Sequence, residues 1–489
     1  RRRSSTSLFL DCLMRKTALL LSTLLLVTIA PTAQAADSNL KVMSRNIYLG
    51  ADVGVAMKLI PDFKAAAQFM WDQVAATDFS KRAPLLAKEI ITNKADVVGI
   101  QEATTWICKK NAWSRKTEVL NFTDQLLAAT KKLGTEYVLP EKDGTKAKNI
   151  GFSIAAIPFL TIVNDPQTFQ PLFGQDTAAC GFEIGDALII RKDLASNIAR
   201  VGNTEFEASY SIVPTLMTIY RGYTWMDLEV GTSTVRIVST HLESVWDADK
   251  VPNAAKQAKQ LVTDLSNTTI PTIVIGDFNA DPRDPRKDAA NNPGGQPEAS
   301  ETCPEQVKNP TLQSALDACN AYWIMRKSGY QEVGPDPINA TNFTWGASAL
   351  LAGPDLNRYK AGKAMGNNQG FTDRLDYIFF KNGVQPLNSK IVGNIWPYSE
   401  STWQCSNEEQ INNTQLLAEE MKVISPPMGV CLESDHAGIF ATVSIAGGIN
   451  GSSPELPSHK PFPISFWQWI GLALLGLIAF LIIRRRRRR

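Results

Sequence analysis

Short runs of β-branched and aliphatic residues recur along the whole chain, at 40–43, 97–100, 187–190, 224–230, 235–239, 272–275, 374–380 and 439–443. Their length and composition predict strands. Between them the apolar positions move to three-to-four spacing over 84–92, 122–133 and 254–265, which predicts amphipathic helices. The first of these opens on Pro84, a residue suited to a first helical turn. Strand and helix signals mixed in this order imply an α/β fold in which two sheets pack face to face with helices outside. Residues 281–300, rich in Asp, Pro, Gly and Asn, and 353–370, rich in Gly and Asn, read as exposed loops.

The two ends of the chain carry different patterns. Arg15-Lys16, the apolar run 18–30 and Ala33-Gln34-Ala35 have the layout of a signal peptide over 1–35, with Met14 as the candidate true start. At the other end, residues 466–483 form an apolar segment whose only strongly polar side chain is Gln468, followed by arginines at 484–489. That pattern predicts a transmembrane segment with Trp467 and Trp469 at one interface and a cytoplasmic arginine tail. It equally resembles the C-terminal sorting tags of Gram-negative bacteria, which a membrane protease removes. Permanent anchor and temporary tag look alike in sequence. Residues 447–465, with Gly447-Gly448 and four prolines, read as a linker, leaving 36–446 as the catalytic domain. The chain is expected on the periplasmic or extracellular face, tethered by its C-terminus or released after processing.

Cysteine and charge agree with export. Without Cys12, which falls in the leader, six cysteines remain, and their order suggests the pairs Cys108 with Cys180, Cys303 with Cys319 and Cys405 with Cys431. Six cysteines nevertheless permit fifteen connectivities. Setting aside residues 1–36 and the six terminal arginines leaves 39 basic against 47 acidic side chains, a net of −8. So acidic a body lacks the broad basic footprint of a nonspecific nucleic-acid binder, which does not exclude a local basic contact.

Groups able to carry chemistry sit where predicted strands begin or end. Asn46 follows 40–43, Glu102 follows 97–100, His241 follows 235–239, Asp277 and Asn279 follow 272–275, and Asp435 and His436 precede 439–443. Strand ends far apart in sequence can converge on one cleft. The chain has only three histidines, and two lie in the polar signatures Thr240-His241-Leu242-Glu243-Ser244 and Ser434-Asp435-His436. Histidine titrates near neutrality, so its sparing use beside carboxylates points to proton transfer. Glu102, Asp277 and Asp435 offer hard oxygen ligands beside the neutral Asn46 and Asn279, a set suited to Mg²⁺, Mn²⁺ or Ca²⁺ rather than to thiolate-held zinc. Such an ion polarises a phosphoryl oxygen, while His241 and His436 as imidazolium donors would neutralise the remaining charge. Asp376 is a candidate to orient one of them. Arg374 is open between phosphate contact and pairing with Asp373 or Glu433, Asp186 reads as a turn residue, and His459 lies in the linker.

These motifs, in this order, resemble the endonuclease/exonuclease/phosphatase superfamily, the deoxyribonuclease I-like hydrolases, in an exported bacterial form. The elements are the Asn46 turn, Ile100-Gln101-Glu102, Ser239-Thr240-His241-Leu242-Glu243-Ser244, Gly276-Asp277-Phe278-Asn279-Ala280-Asp281-Pro282, Asp373-Arg374-Leu375-Asp376-Tyr377-Ile378-Phe379 and Ser434-Asp435-His436, together spanning 41–443. The resemblance implies a four-layer α/β sandwich. It implies that Glu102 binds metal with Asn46 and Asp435 completing or supporting the site, and that Asp277 orients or deprotonates the attacking water. It further implies that Asn279 holds the phosphate, that His241 stabilises a phosphate oxygen or protonates the leaving group, and that His436 is general base or transition-state stabiliser with Asp376 as its partner.

The implied activity is hydrolysis of phosphodiester bonds, with nucleic acid the leading substrate. A sphingomyelinase or phospholipase C-like reading on a phospholipid headgroup is the alternative, and a surface-attached binding domain without turnover is the alternative of another class. The chain has no Pro-Ser-Trp-Cys-Asp-Arg segment of the inositol polyphosphate 5-phosphatases.

Overall fold

The computed structural model describes residues 37–111, 113–154, 160–165, 170–213, 217–244, 251–283, 313–347, 350–351, 356–395, 402–404, 430–449 and 451–458. The main elements begin with β1 (Ser38–Asn46), α1 (Phe63–Ala76), α2 (Phe79–Thr92), β2 (Val97–Gln101), β3 (Thr105–Lys109), β4 (Thr117–Asn121) and α3 (Phe122–Lys132). They continue with β5 (Lys148–Ile154), β6 (Thr177–Arg191), β7 (Ile198–Glu205), β8 (Gly222–Val230), β9 (Ser233–His241), α4 (Asn253–Asp264) and β10 (Thr272–Asp277). The last are α5 (Ala321–Lys327), α6 (Leu356–Met365), β11 (Asp376–Lys381), β12 (Val384–Val392) and β13 (Gly438–Ile445).

Two mixed sheets result. In the larger, β1 runs parallel to β2 and antiparallel to β13, and β6 continues the sheet antiparallel to β2. In the smaller, β9 runs parallel to β10, which pairs antiparallel with β11. Each parallel pair needs a crossover, supplied by α1 and α2 in one case and α4 in the other. Strand side chains alternate faces, and the apolar residues obey that period. Val42, Val97, Leu188 and Ile190 of the larger sheet meet Ile237, Ile273, Ile275 and Ile378 of the smaller. Their neighbours Met43, Val98 and Ile189 point the other way, onto Leu86 and Ile90 of α2 and Phe122 and Leu126 of α3. Val238, Val274 and Phe379 likewise face Ala258 and Leu261 of α4 and Met325 of α5. Helix, sheet, sheet and helix therefore stack as four layers.

Several expectations from the sequence change. The helix expected from Pro84 begins at Phe79, because Asp78 caps it by accepting from Ser80 N at 3.1 Å, and Pro84 lies inside it. Residues 353–370, expected as a loop, contain α6; a Cβ on its Gly362 would approach Gly370 to 3.0 Å, so the glycine permits close packing. Part of the expected 447–465 linker is docked on the catalytic body. Leu456 is buried, Ser453 Oγ donates to Asp227 at 2.8 Å, and Pro457 O accepts from Thr204 Oγ1 at 2.6 Å. Cys108 and Cys180 form a disulfide between β3 and β6. Cys319 and Cys431 are also disulfide-bonded, and their expected partners Cys303 and Cys405 lie outside the described residues. No helix among the described residues is long and apolar enough to cross a membrane; residues 1–35 and 466–489 lie outside them.

The sheets come close at Gly99, where a Cβ would stand 2.8 Å from Ile275 Cγ2 and 2.9 Å from Ser239 Oγ. Gly99→Ala is expected to push the sheets apart and cost about 1–3 kcal/mol of unfolding free energy, read as a lower urea midpoint. An unchanged midpoint contradicts this packing.

Candidate active site

Every candidate residue sits where a strand finishes (β1, β2, β9, β10) or starts (β11, β13). Asn46 ends β1, and its Oδ1 accepts from Tyr48 N at 2.9 Å. That bond turns the amide nitrogen toward two carboxylates, Glu102 Oε1 and Asp277 Oδ2, each at 3.1 Å. Glu102 follows β2 in one sheet and Asp277 ends β10 in the other, so one neutral amide spans the mouth between them. Glu102 Oε2 also accepts from Leu49 N at 2.6 Å. Tyr48, Glu102 and Asn279 have φ of 58°, 59° and 46°. Non-glycine residues adopt this left-handed region at a cost of about 1–3 kcal/mol each, and three such residues meet here.

Asp277 is the centre of the second half. Its Oδ2 lies 3.5 Å from His241 Nε2 and 3.6 Å from His436 Nε2, while its Oδ1 accepts from Asn279 N at 2.9 Å. Asp376 stands opposite Asp277 in the β10–β11 register, and its Oδ2 lies 2.9 Å from His436 Nδ1. Asn279 places its amide nitrogen 3.0 Å from His241 Nε2 and donates to Leu242 O at 2.8 Å. Asp435, half-buried, accepts from the Trp345 indole at 3.4 Å.

Electrostatics separates the two histidines. Burial alone would lower His436, yet Asp376, Asp435 and Asp277 outweigh it and raise the ring to about 10. For His241, burial, then Arg221 and His436, all act in one direction and hold it well below the usual histidine value. The expectation that both rings act as imidazolium donors is therefore corrected. His436 is charged and His241 is neutral. Arg221 donates to His241 Nδ1 at 3.0 Å and the Asn279 amide nitrogen stands 3.0 Å from Nε2, so donors face both ring nitrogens and disfavour a second ring proton. Burial, reinforced by Asp376, pushes Asp277 up to about 7 against the opposing pull of His436, Asn279 N and Asn46.

Other side chains at the site either had not stood out in the sequence or, as with Asp186 and Arg374, were read differently there. Arg221, mostly buried, lies between His241 and Glu243 Oε2, the latter at 3.5 Å from Nε. Asp186, expected at a turn, is buried within β6, and burial, countered in part by Arg221, raises its carboxyl well above the usual range. Buried Arg45 bonds to His436 O and to Glu433 at 2.7 Å. Buried Arg82 donates to Ile47 O at 2.8 Å, Glu433 O at 3.0 Å and Tyr48 O at 3.2 Å, tying the Asn46 loop to the His436 loop. Thr344 Oγ1 accepts from Leu375 N at 3.1 Å and Asp376 N at 3.3 Å. The Arg374 guanidinium donates to Glu332 at 2.6 Å and to Asp376 O at 2.9 Å. The available signal was weak: Arg45 interrupts a strand pattern, and Arg82 falls on the apolar face of α2.

The donor chemistry fits a hard divalent cation. Glu102, Asp277, Asp376 and Asp435 bring carboxylate oxygens to one region, without a thiolate, and His436 supplies one positive charge against them. Ligand atoms of Asp277, Asp376 and His436 lie within 4.8 Å of one another, but the bond of His436 to Asp376 and its positive charge make that ring a poor ligand.

The pattern of the Endonuclease/Exonuclease/phosphatase family matches residues 73–436. The chain belongs to this family. Its members are phosphodiesterase and nuclease-like hydrolases, and the chain is an enzyme of that kind. Among solved structures, an endonuclease/exonuclease/phosphatase family protein from Bacteroides thetaiotaomicron is 13% identical, with a TM-score of 0.41, covering 84% of this chain and 99% of its own. One from Leptotrichia buccalis is 15% identical, with a TM-score of 0.40, covering 83% and 99%. A truncated TDP2 from Caenorhabditis elegans is 14% identical, with a TM-score of 0.37, covering 83% and 97%. No curated protein matches the chain.

The two raised pKa values make stability depend on pH with a defined sign. Asp277 moves from 3.8 to about 7 and His436 from 6.5 to about 10, so the folded protein binds more protons than the unfolded chain across both windows. Their contributions are fully present below the unfolded values and are lost as pH rises through the folded ones. In EDTA, wild-type stability from urea unfolding should fall from pH 7 to pH 9, where the neutral His241 no longer contributes, and His436→Ala should flatten that decline. A wild-type curve that rises across this range contradicts the assignment.

Proposed function

We propose that the chain is an exported, divalent-cation-dependent phosphodiesterase acting on nucleic acid. The observation that carries this reading is a single carboxylate oxygen, Asp277 Oδ2, held by the Asn46 amide and approached by both imidazole Nε2 atoms. Glu102 and Asp435 would hold the cation, with Asn46 supporting Glu102, and the bound ion would polarise a phosphoryl oxygen. Asp277, elevated by burial, accepts the proton of the attacking water. His436, kept charged by Asp376, donates to a phosphoryl oxygen as negative charge develops. His241 and the Asn279 amide, in contact with each other, face the same phosphate and fix its orientation.

The Cys108–Cys180 bridge and the oxidised Cys319 and Cys431 support an oxidising compartment, hence a leader over 1–35 removed on export. The 36–446 body is then attached by 466–483 and the tail 484–489, either permanently or until a sorting protease cuts.

Purified protein should hydrolyse bis-p-nitrophenyl phosphate with Mg²⁺ or Mn²⁺ and lose that activity in EDTA. His436→Ala and Asp277→Ala should each lower turnover by orders of magnitude. Incubation with DNA, RNA, sphingomyelin and inositol phosphates should cleave the nucleic acids; hydrolysis of sphingomyelin alone overturns the substrate assignment, and full activity in EDTA overturns the cation requirement.

A further inference from the structure

β2 and β3 lie end to end along one edge of β6. Ile100 pairs with Ala187, Ala103 N donates to Gly185 O at 2.8 Å, and Thr105 pairs with Glu183. β5 pairs with Phe182, Glu183 and Ala187 as well, so it occupies the opposite edge. The chain therefore runs past Glu102 in the direction β2 was already taking, and the β3–β4 hairpin projects beyond the catalytic end of the sheet. Six residues separate Ala103 from Lys109, about 20 Å of extended chain.

The end of this hairpin is held in shape. Cys108 is bridged to Cys180, Gln175 Nε2 donates to Lys110 O at 2.7 Å, and Asn111 Oδ1 accepts from Trp113 N at 3.0 Å and Ser114 N at 2.9 Å. That turn presents Trp113 at 96% exposure. Lys110, Arg115 and Lys116 around it are exposed and have no ion-pair partner among the described residues. An indole that could have been buried is instead displayed between cations, on a body whose net charge is −8.

We propose that this hairpin tip is a single-stranded nucleic-acid platform, in which Trp113 stacks on an unpaired base while Lys110, Arg115 and Lys116 contact the flanking phosphates. The proposal rests on the nucleic-acid reading above and adds where the strand is gripped. A catalytic mouth lined by carboxylates repels a polyanion, so affinity must come from cations elsewhere, and this tip offers them on the catalytic side. One aromatic face with cations on both sides suits bases alternating with phosphates. A bilayer surface is less well matched: it rewards buried apolar area, and Trp113 is flanked by the polar turn of Asn111 and Ser114 and by the exposed Thr117 and Glu118.

The test is binding of a labelled 20-nucleotide DNA strand to the full chain by fluorescence anisotropy in EDTA, where turnover plays no part. Trp113→Ala should weaken binding roughly tenfold. The triple variant Lys110→Ala, Arg115→Ala, Lys116→Ala should reduce the slope of log affinity against log salt by about 2. Melting temperatures should stay at the wild-type value, since all four side chains are exposed. Unchanged affinity and salt slope overturn the proposal, as does loss of binding only to phosphatidylglycerol vesicles. Failure of the catalytic reading is separable, because it appears as absent hydrolysis of bis-p-nitrophenyl phosphate by the wild type.

Discussion

The catalytic half of the molecule depends on one neutral amide. Asn46 belongs to the larger sheet and reaches both Glu102 beside it and Asp277 across the gap. Two neighbouring carboxylates repel each other, and a donor with two N–H groups and no charge brings them together without adding a counter-ion that would compete with a cation. The amide's own oxygen is committed to Tyr48 N, so it cannot turn over. Close below, Gln101 Nε2 donates to Ser239 Oγ at 3.2 Å, a second polar tie between the sheets. Gly99 lets the sheets come close enough for both ties. Packing and chemistry are here the same constraint.

Around that amide the protein uses buried arginines as braces. Arg82 ties the backbone after β1 to Glu433, and Arg45 holds His436 through its carbonyl, so both loops that carry site residues are fastened to the same helix and strand. Arg374 does the same for β11, donating to Asp376 O and Glu332. Burial draws Arg82 down to about 10, still charged at neutral pH, with Tyr48, Asp435, Asp78 and Glu102 acting the other way, and four backbone carbonyls accept from it. Removing such a group leaves several carbonyls without a donor, each at a cost of about 1–3 kcal/mol. These side chains touch no reacting atom, yet they set where the reacting atoms stand.

The strands and the site residues were legible for different reasons. Val97, Leu188 and Ile273 lie in short apolar runs that only a buried strand explains, and both sheets emerge from such runs. The candidate site residues were visible because each follows or precedes such a run. Arg82, Arg221 and Asp186 were not, since their partners lie far along the chain and nothing in local spacing reports a contact between residues 82 and 433. The start of α2 was missed because the cap Asp78 was passed over for Pro84. The docking of Ser453 and Leu456 was hidden by a composition rich in Gly and Pro, which reports chain stiffness and not whether a groove receives it. The opposite charge states of His241 and His436 depend on three-dimensional neighbours alone: Arg221 for one, Asp376 for the other.

That split between the histidines is the central electrostatic claim, and a chain with only three histidines makes it directly readable. Imidazole nitrogen shifts recorded by heteronuclear NMR on the metal-free protein from pH 5 to pH 10 would assign each ring. His436 should keep both ring nitrogens protonated through neutrality and release a proton only toward pH 10, while His241 should remain neutral down to the lowest pH reached. Two rings titrating together near 6.5 would contradict the account.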